Sequence, residues 1–421
     1  MSTIEKHDMT QGKILLPLVS FTIPLVLGNL FQLTYNAADS VIVGKYVGEQ
    51  ALAAVGTSTP IMNIAILLIS GMCMGASVLM SSQYGAKDYD TLSRQISTTM
   101  LAGCGFSVVF SLLMLLLANP VLRLIRVPET AIPEAAAYLR IIFMGLIFTF
   151  MYNFLANTMR ALGDSKTPLY FLVTSAFLNI FGDLFFVVVL RWGVAGSAIA
   201  TVCSEGLCCL LCGIYIKKKI PLLCLGKKWW VFDKSLLGKT VSYGSTSAMQ
   251  QVCLQLGKLI IQSVVNTQGV AVMAAFTAVN RVDDFAYTPQ QNIGHAMTTF
   301  LAQNKGAGHK ERMKKGFQTG LLIELVYSIG LFCVIWGLAP QIMTLFAEDG
   351  DAQVVSLGIS YLHLISWMYI LPGLTNGVQG FFRGIGDLKV TLYSTFMNMF
   401  GRVVAVFVMI RLLQMEFASL A

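Results

Sequence analysis

Polar residues in the first long apolar stretch of the sequence have types and spacing that could bind a cation or a proton. They are Gln32, Tyr35, Asn36 and Asp39, whose separations place all four on one face of a helix. A carboxylate at the centre of a lipid bilayer costs about 2.5 to 3.5 kcal/mol, so Asp39 is expected to face protein or water. A capping role near the outer membrane surface is the alternative that the position of Asp39 leaves open.

A second polar set lies in the fifth apolar stretch. Ser175, Asn179 and Asp183 are spaced by four residues, so an amide and a carboxylate share one helix face. Oxygen ligands contributed by two helices suit a hard cation or a shared proton. From the residues alone, hydrogen bonds that only hold helices together explain the pattern about equally well.

The second half of the sequence carries a related stripe with a base in place of the acid. The stripe consists of Gln251, Gln255, Lys258 and Gln262, again on one helix face. Aligning the two stripes from their first glutamines pairs Asp39 with Lys258. We therefore expect Gln251, Gln255 and Lys258 to line a polar cavity, together with Gln32, Tyr35 and Asn36.

A further group of charges lies in the eighth apolar stretch. Arg281 precedes Asp284 by three residues, which is within ion-pair distance on a helix, whereas Asp283 points elsewhere. We expect Arg281 and Asp284 to line the cavity as a pair, and a structural role is favoured over a ligand role because a paired charge needs no substrate. Glu324 and Arg402 are also intramembrane charges, with partners that the sequence does not identify, and Glu205 in the sixth apolar stretch is a weaker candidate.

Pro24 lies in the middle of the first apolar stretch. Proline lacks a backbone N–H, so it removes one helical hydrogen bond and frees the carbonyl of Ser20. The residue pattern favours a static kink and a gating hinge about equally.

The elements that must position these residues are long apolar helices. Of the 421 residues, 56% are apolar and 12% are charged, whereas a soluble domain carries roughly 25% charged residues. An ordinary soluble enzyme is thereby excluded. A bilayer core is crossed by about 20 apolar residues, and eleven such stretches predict an all-α polytopic membrane protein: 14–43, 51–80, 96–118, 132–155, 167–190, 194–216, 235–263, 271–301, 317–338, 355–382 and 388–411.

Basic residues predict the orientation of these helices. Twenty lysines and arginines lie in the N-terminal tail and the loops on its side, against five on the other side. The excess predicts a cytoplasmic N-terminus in a multi-pass plasma-membrane protein. Because the basic residues lie in loops between spans, no nucleic-acid partner is expected. The nine cysteines lie mostly in apolar runs, so no metal site or disulfide is expected.

The two halves of the sequence resemble each other. The run Arg160–Lys166 reappears as Arg383–Lys389, and Gly48 reappears as Gly269, at offsets of 223 and 221 residues. Six spans is an even number, so the halves should be parallel pseudo-symmetric lobes. The predicted division is an N-terminal lobe over 1–216, a basic cytoplasmic linker over 217–234 and a C-terminal lobe over 235–421. The C-terminal lobe is expected to lack its sixth helix, since too few residues follow Arg411.

Several motifs, in order, resemble the multidrug and toxic compound extrusion (MATE) family over about residues 14 to 411. They are Gln32–Asp39, Ala51–Gly56, Arg160–Asp164, Leu178–Asn179 with Asp183, and Ala302–Asn304 with Gly306–Gly308. The resemblance implies a two-lobed antiporter that expels amphipathic, often cationic compounds. It further implies that Asp39, Asn179 and Asp183 form a cation-responsive site in the N-terminal lobe, and it favours the hinge role for Pro24.

The functional prediction is a secondary active multidrug efflux antiporter that exchanges small organic compounds for H⁺ or Na⁺. No covalent chemistry and no cofactor are expected, and no GxxxxGK[ST] motif for ATP hydrolysis is present. Small organic substrates and the lipid bilayer are the expected partners of a monomer. The alternative is a flippase for lipid-linked or amphipathic anionic substrates, suggested by Lys258, Arg281 and Arg402. A channel or receptor is a more distant third interpretation.

Overall fold

The computed structural model describes residues 8–125, 127–220, 230–346 and 352–408. These residues form helices and contain no strand. The helices are α1 (Leu15–Tyr46), α2 (Glu49–Gly85), α3 (Tyr89–Leu124), α4 (Ile132–Ala161), α5 (Lys166–Asp183), α6 (Gly193–Lys219), α7 (Lys234–Val265), α8 (Val270–Gly306), α9 (Lys310–Phe346), α10 (Ala352–Met368), α11 (Ile370–Gly384) and α12 (Leu388–Phe407). A π-helical segment, Leu184–Val189, continues from α5.

The predicted all-helical membrane fold is confirmed. Among the described residues, eight helices are long and apolar enough to cross a membrane, or nine if α10 and α11 form one broken span. The axes of α10 and α11 differ by 42° at their junction. Each predicted apolar stretch lies largely within a helix or within this bent pair, but α7 and α8 fall outside the apolar set because both carry many polar residues. The count of eleven spans therefore stays a prediction.

The helices pack as two compact units. The first comprises Met1–Gln11 and Ile23–Met249, and the second comprises Gly12–Thr22 and Gln250–Ala421. Both α1 and α7 are thus divided between the units, α1 after Thr22 and α7 after Met249. The lobe and linker boundaries derived from the sequence stay predictions, and most of the predicted linker, residues 221–229, lies outside the described residues.

Helix α4 lies at the centre of the first unit, where it packs against α2, α3 and α6. Its side chains Phe143, Phe150 and Phe154 are almost fully buried. Gly103 of α3 lies directly against the ring of Phe150, since an added Cβ at Gly103 would come within 2.0 Å of the ring Cζ. In a bilayer, close packing of this kind drives helix association because lipid is as apolar as the side chains.

In the second unit, glycines along one side of α11 form a packing surface, the glycine seam. Gly373, Gly377, Gly380 and Gly384 recur at spacings of three or four residues and face α8 and α9. An added Cβ at Gly380 would lie 2.6 Å from the backbone oxygen of Gly294 in α8. Small residues let helix backbones approach closely, which is the usual basis of tight packing in membranes.

The predicted internal repeat extends to the backbone conformation of the turns. Gly163 after α4 and Gly386 after α11 both have positive φ, 90° and 84°. In both turns the glycine N–H donates to the carbonyl three residues earlier, that of Arg160 at 2.9 Å and that of Arg383 at 3.0 Å. Gly48 and Gly269, before α2 and α8, form a second matching pair with φ of 118° and 103°. Glycine adopts such angles without steric cost, so both halves keep it at these turns.

Candidate functional site

Helices α1, α5 and α6 of the first unit bring Asp39 and Asp183 together. The hydroxyl of Ser197 in α6 donates to Asp39 Oδ1 at 2.6 Å. The carboxyl groups of Asp39 and Asp183 also lie within hydrogen-bonding range of each other. Two ionised carboxylates are both acceptors and repel each other, so a hydrogen bond between them requires one shared proton.

Asp183 is fully buried and is the least satisfied group of this site. Its side chain is 0% exposed, and neither carboxyl oxygen has a donor among the described residues. An ionised carboxylate in such a position is costly unless it is paired. A proton or a cation would compensate this charge.

Asn179, one turn before Asp183, adds a further acceptor. Its side-chain nitrogen donates to Thr201 Oγ1 at 3.2 Å, whereas its Oδ1 is buried without a partner among the described residues. Together with both oxygens of Asp183, three buried acceptors have no donor. Such a set of oxygens suits a hard cation or a proton and does not suit a soft metal.

The remaining residues of the first stripe have different surroundings. Tyr35 is half-buried and hydrogen-bonds with Gln32, and Glu205 of α6 acts on it electrostatically. Gln32 and Asn36 are exposed on the surface of α1. The predicted stripe on α1 thus combines the half-buried Asp39 and Tyr35 with the exposed amides of Gln32 and Asn36.

Helix α6 supplies Ser197 and Thr201, which the sequence analysis missed, and Glu205, which it gave as a weaker candidate. Ser197, Thr201 and Glu205 are spaced by four residues, and each makes a polar contact. The hydroxyl of Thr149 donates to Glu205 Oε2 at 2.5 Å. The four-residue spacing was the available signal, since it is the same pattern that identified Asn179 and Asp183.

In the second unit, the predicted pair of Arg281 with Asp284 is wrong. Lys258 of α7 is the partner, with its Nζ 3.2 Å from Asp284 Oδ1. Arg281 is exposed and has no ion pair among the described residues. Helical spacing allows both partners, and the lysine of the neighbouring helix satisfies Asp284 without Arg281. The side chains of Lys258 and Asp284 are 60% and 51% exposed, so the pair is open.

Half-buried Asp283 belongs to a polar cluster that the sequence did not predict. The hydroxyl of Tyr369, which is 3% exposed, donates to Asp283 Oδ1. Arg402 of α12 acts on Asp283 electrostatically and hydrogen-bonds with buried Tyr361. Arg402 therefore has its partners within the second unit.

The two predicted glutamines of α7, Gln251 and Gln255, are half-buried. The neighbouring Gln250 is the buried one, and its nitrogen donates to Gln379 Oε1 and to Thr395 Oγ1, both at 3.0 Å. This network joins α7, α11 and α12 within the second unit. It is a packing contact with its hydrogen bonds made internally.

Pro24 is buried, and α1 passes through it as one continuous helix from Leu15 to Tyr46. The division of α1 between the two packing units falls between Thr22 and Ile23, directly before this proline. The position is therefore one at which a local change of helix direction would act on both units.

Comparison with known proteins agrees with the repeat and the fold. The MatE family model matches the chain twice, over residues 24–185 and 247–408. The probable multidrug resistance protein YpnP of Bacillus subtilis is 32% identical over 92% of this chain and 86% of its own length.

Two solved structures have the same fold, each with a TM-score of 0.92 and 22% identity. One is a MOP superfamily transporter from Pyrococcus furiosus, and the other is a multidrug resistance MATE family transporter in an outward-facing conformation. Each match covers 100% of this chain and 93% of the solved one. With two family-model matches that span most of its length, the chain belongs to the MatE family of multidrug and toxic compound extrusion transporters.

Proposed function

We propose that this membrane transporter is a secondary active efflux antiporter that exports amphipathic, often cationic organic compounds in exchange for H⁺ or Na⁺. The carrying observation is the carboxyl pair of Asp39 and Asp183, in which both oxygens of Asp183 and the neighbouring Asn179 Oδ1 are buried without donors among the described residues. A single bound cation or proton satisfies this group. No nucleotide, cofactor or covalent step is needed for such exchange.

The coupling step follows from the charge of the pair. When both carboxyls are ionised, half-buried Asp39 and buried Asp183 repel each other, and neither has a basic partner among the described residues. Binding of H⁺ or Na⁺ removes that repulsion and lets Asn179, Asp183 and Asp39 pack together. Occupancy of the site thereby selects one conformation of the first unit, which is how an ion gradient drives transport.

We assign substrate binding to the second unit. The open ion pair of Lys258 with Asp284 offers one positive and one negative group, which amphipathic substrates of either charge engage at low cost. Transport of this kind needs neither a second copy of the chain nor a protein partner, and we expect a monomer. The excess of basic residues on one side supports a plasma-membrane orientation with a cytoplasmic N-terminus.

A flippase for anionic lipid-linked substrates is less well supported. Such a function needs basic groups that are free to bind an anion, whereas Lys258 pairs with Asp284 and Arg402 interacts with Asp283. Arg281 is exposed, and neither Arg281 nor Arg402 forms an ion pair among the described residues.

Dye efflux from proteoliposomes under separately imposed proton and sodium gradients tests the proposal. Gradient-driven efflux of a cationic dye, stopped by Asp39→Asn, is the expected result. The matched control is Ser175→Ala, which removes a polar group from the same face of α5 without touching the carboxyl pair. Transfer of a headgroup-labelled anionic lipid, with no dye efflux under either gradient, would establish the flippase instead.

A further inference from the structure

Glu324 of α9 is a buried acid that the proposed coupling site does not use. Its side chain is 0% exposed, and neither Oε1 nor Oε2 has a hydrogen-bond donor among the described residues. It forms no ion pair within the same residues. An ionised carboxylate so placed costs several kcal/mol in its buried position, so the group requires neutralisation.

Three polar side chains converge at one point on α11. An added Cβ at Gly373 would lie 2.7 Å from Ser328 Oγ, 3.2 Å from Gln290 Nε2 and 3.4 Å from Glu324 Oε2. Gly373 therefore leaves just enough space for these groups to pack against the helix backbone. A proton on Glu324 adds almost no volume to this packing, whereas a hydrated ion needs space for its water shell.

The convergence adjoins the junction between α10 and α11. The side-chain nitrogen of Gln290 donates to the backbone oxygen of Tyr369 at 2.8 Å and to Ser328 Oγ at 3.0 Å. Tyr369 is the residue between the two helices, whose axes differ by 42°. Broken helices at polar positions are a recurring device for binding ions inside membrane transporters.

Other ionisable groups on the neighbouring helices have partners of their own or lie apart from Glu324. His295 of α8 contacts Arg383 of α11 at 3.1 Å, and His363 of α10 lies on the ring of Trp336 with centroids 4.5 Å apart. On α8, Asp283 is engaged by Tyr369 and Asp284 by Lys258. Tyr327, on α9 itself, acts electrostatically with Glu324 but donates its hydroxyl to the backbone oxygen of Ala286 at 3.0 Å.

We propose that Glu324 is a second proton-binding site, located in the second unit where α9 packs on Gly373 of α11. Glu324 carries a proton while this packing is intact. Its ionisation requires water or a new donor, so loss of the proton separates α11 from α9 next to the junction at Tyr369. The role of this proton in transport rests on the proposed function, whereas the protonation site itself does not.

Infrared difference spectroscopy on the full chain in liposomes tests the site directly, because a protonated carboxyl has its own C=O stretching band. Spectra are recorded across a pH titration for the parent and for Glu324→Gln, in the background of Asp39→Asn with Asp183→Asn. The expected result is a titrating carboxylic acid band in that background, lost on adding Glu324→Gln. A band that persists unchanged overturns the proposal, even if the protein transports nothing.

Ser328→Ala is the matched control, because it removes a polar group from the same convergence but carries no titratable proton. We expect it to keep the band. Should Glu324→Gln fail to fold, Glu324→Asp replaces it: a shifted titration midpoint supports the proposal, and an unchanged midpoint contradicts it. Each titration is repeated with Na⁺ in place of N-methylglucamine. Loss of the band on adding Na⁺ at constant pH would make the ligand Na⁺ and overturn the assignment to a proton.

Discussion

At the scale of single residues, the proposed coupling site is defined by buried acceptors that have no donors among the described residues. Ser197 supplies one hydrogen bond to Asp39, and the described residues supply none to Asp183. In most proteins a buried polar atom without a partner marks a bound ion, a water or a catalytic role. Here two of the buried acceptors belong to Asp183, whose carboxyl interacts with that of Asp39, so a proton or a cation is the partner that we propose for them.

The first prediction is that Asp39→Asn leaves the protein in the membrane but abolishes coupled efflux. The amide matches the carboxylate in size and loses its titratable charge, and insertion becomes easier because a penalty of about 2.5 to 3.5 kcal/mol is removed. The measurement is gradient-driven dye efflux at matched protein level. Equal efflux by variant and parent would show that Asp39 does not couple transport.

The second prediction concerns the open ion pair. Lys258→Met should change which compounds are exported, with little effect on the response to the driving ion. Because both partners are more than half exposed, the stability cost is at most about 1 kcal/mol. The measurement is efflux of a panel of cationic, neutral and anionic dyes, alongside thermal unfolding. Asp284→Asn is the matched variant. A loss of ion dependence with an unchanged dye range would reverse the roles assigned to the two units.

At the scale of elements, the sequence was sufficient to predict the helices, the internal repeat and the family. Apolar length and the recurring Arg160 and Arg383 runs report local properties, namely burial in lipid and a glycine turn. Partners between helices were harder to predict. Asp284 has two bases within reach, and only the packing of α7 beside α8 selects Lys258. The contact of Tyr369 with Asp283 spans 86 residues, and no spacing in the sequence reports it.

Sequence spacing gives two different registers for α7 within the repeat. The turn glycines Gly48 and Gly269 are separated by 221 residues, whereas the alignment of Asp39 with Lys258 uses 219. A difference of two residues turns a helix by more than half a revolution. The assignment of Lys258 as the counterpart of Asp39 therefore stays a prediction.

The third prediction tests the glycine seam between α8 and α11. Gly380→Ala should destabilise the protein by about 1 to 3 kcal/mol, because the added methyl group meets the backbone oxygen of Gly294, which cannot move without shifting α8. The measurement is thermal unfolding in detergent. Gly401→Ala in α12 is the matched control, since an added Cβ there meets nothing within 4 Å. Equal destabilisation by both variants would remove the seam as the cause.

At the scale of the whole molecule, the two family-model matches are offset by 223 residues at both their starts and their ends. Each packing unit nevertheless contains the beginning of a helix whose remainder belongs to the other unit. Gly12–Thr22 at the start of α1 packs in the second unit, and Lys234–Met249 at the start of α7 packs in the first. Each of these two helices therefore contributes residues to both packing units.

The last prediction concerns Pro24, two residues after the division of α1. Pro24→Ala restores a backbone donor and should stiffen α1 at little cost to insertion, since alanine is well tolerated in membrane helices. If bending at Pro24 is part of the cycle, substrate affinity survives while the efflux rate falls. A static kink has the opposite consequence, because its removal disturbs packing and lowers stability without a specific defect in turnover. The two roles are separated by measuring dye affinity, efflux rate and thermal unfolding on one purified variant. Unchanged values of all three would remove Pro24 from the mechanism.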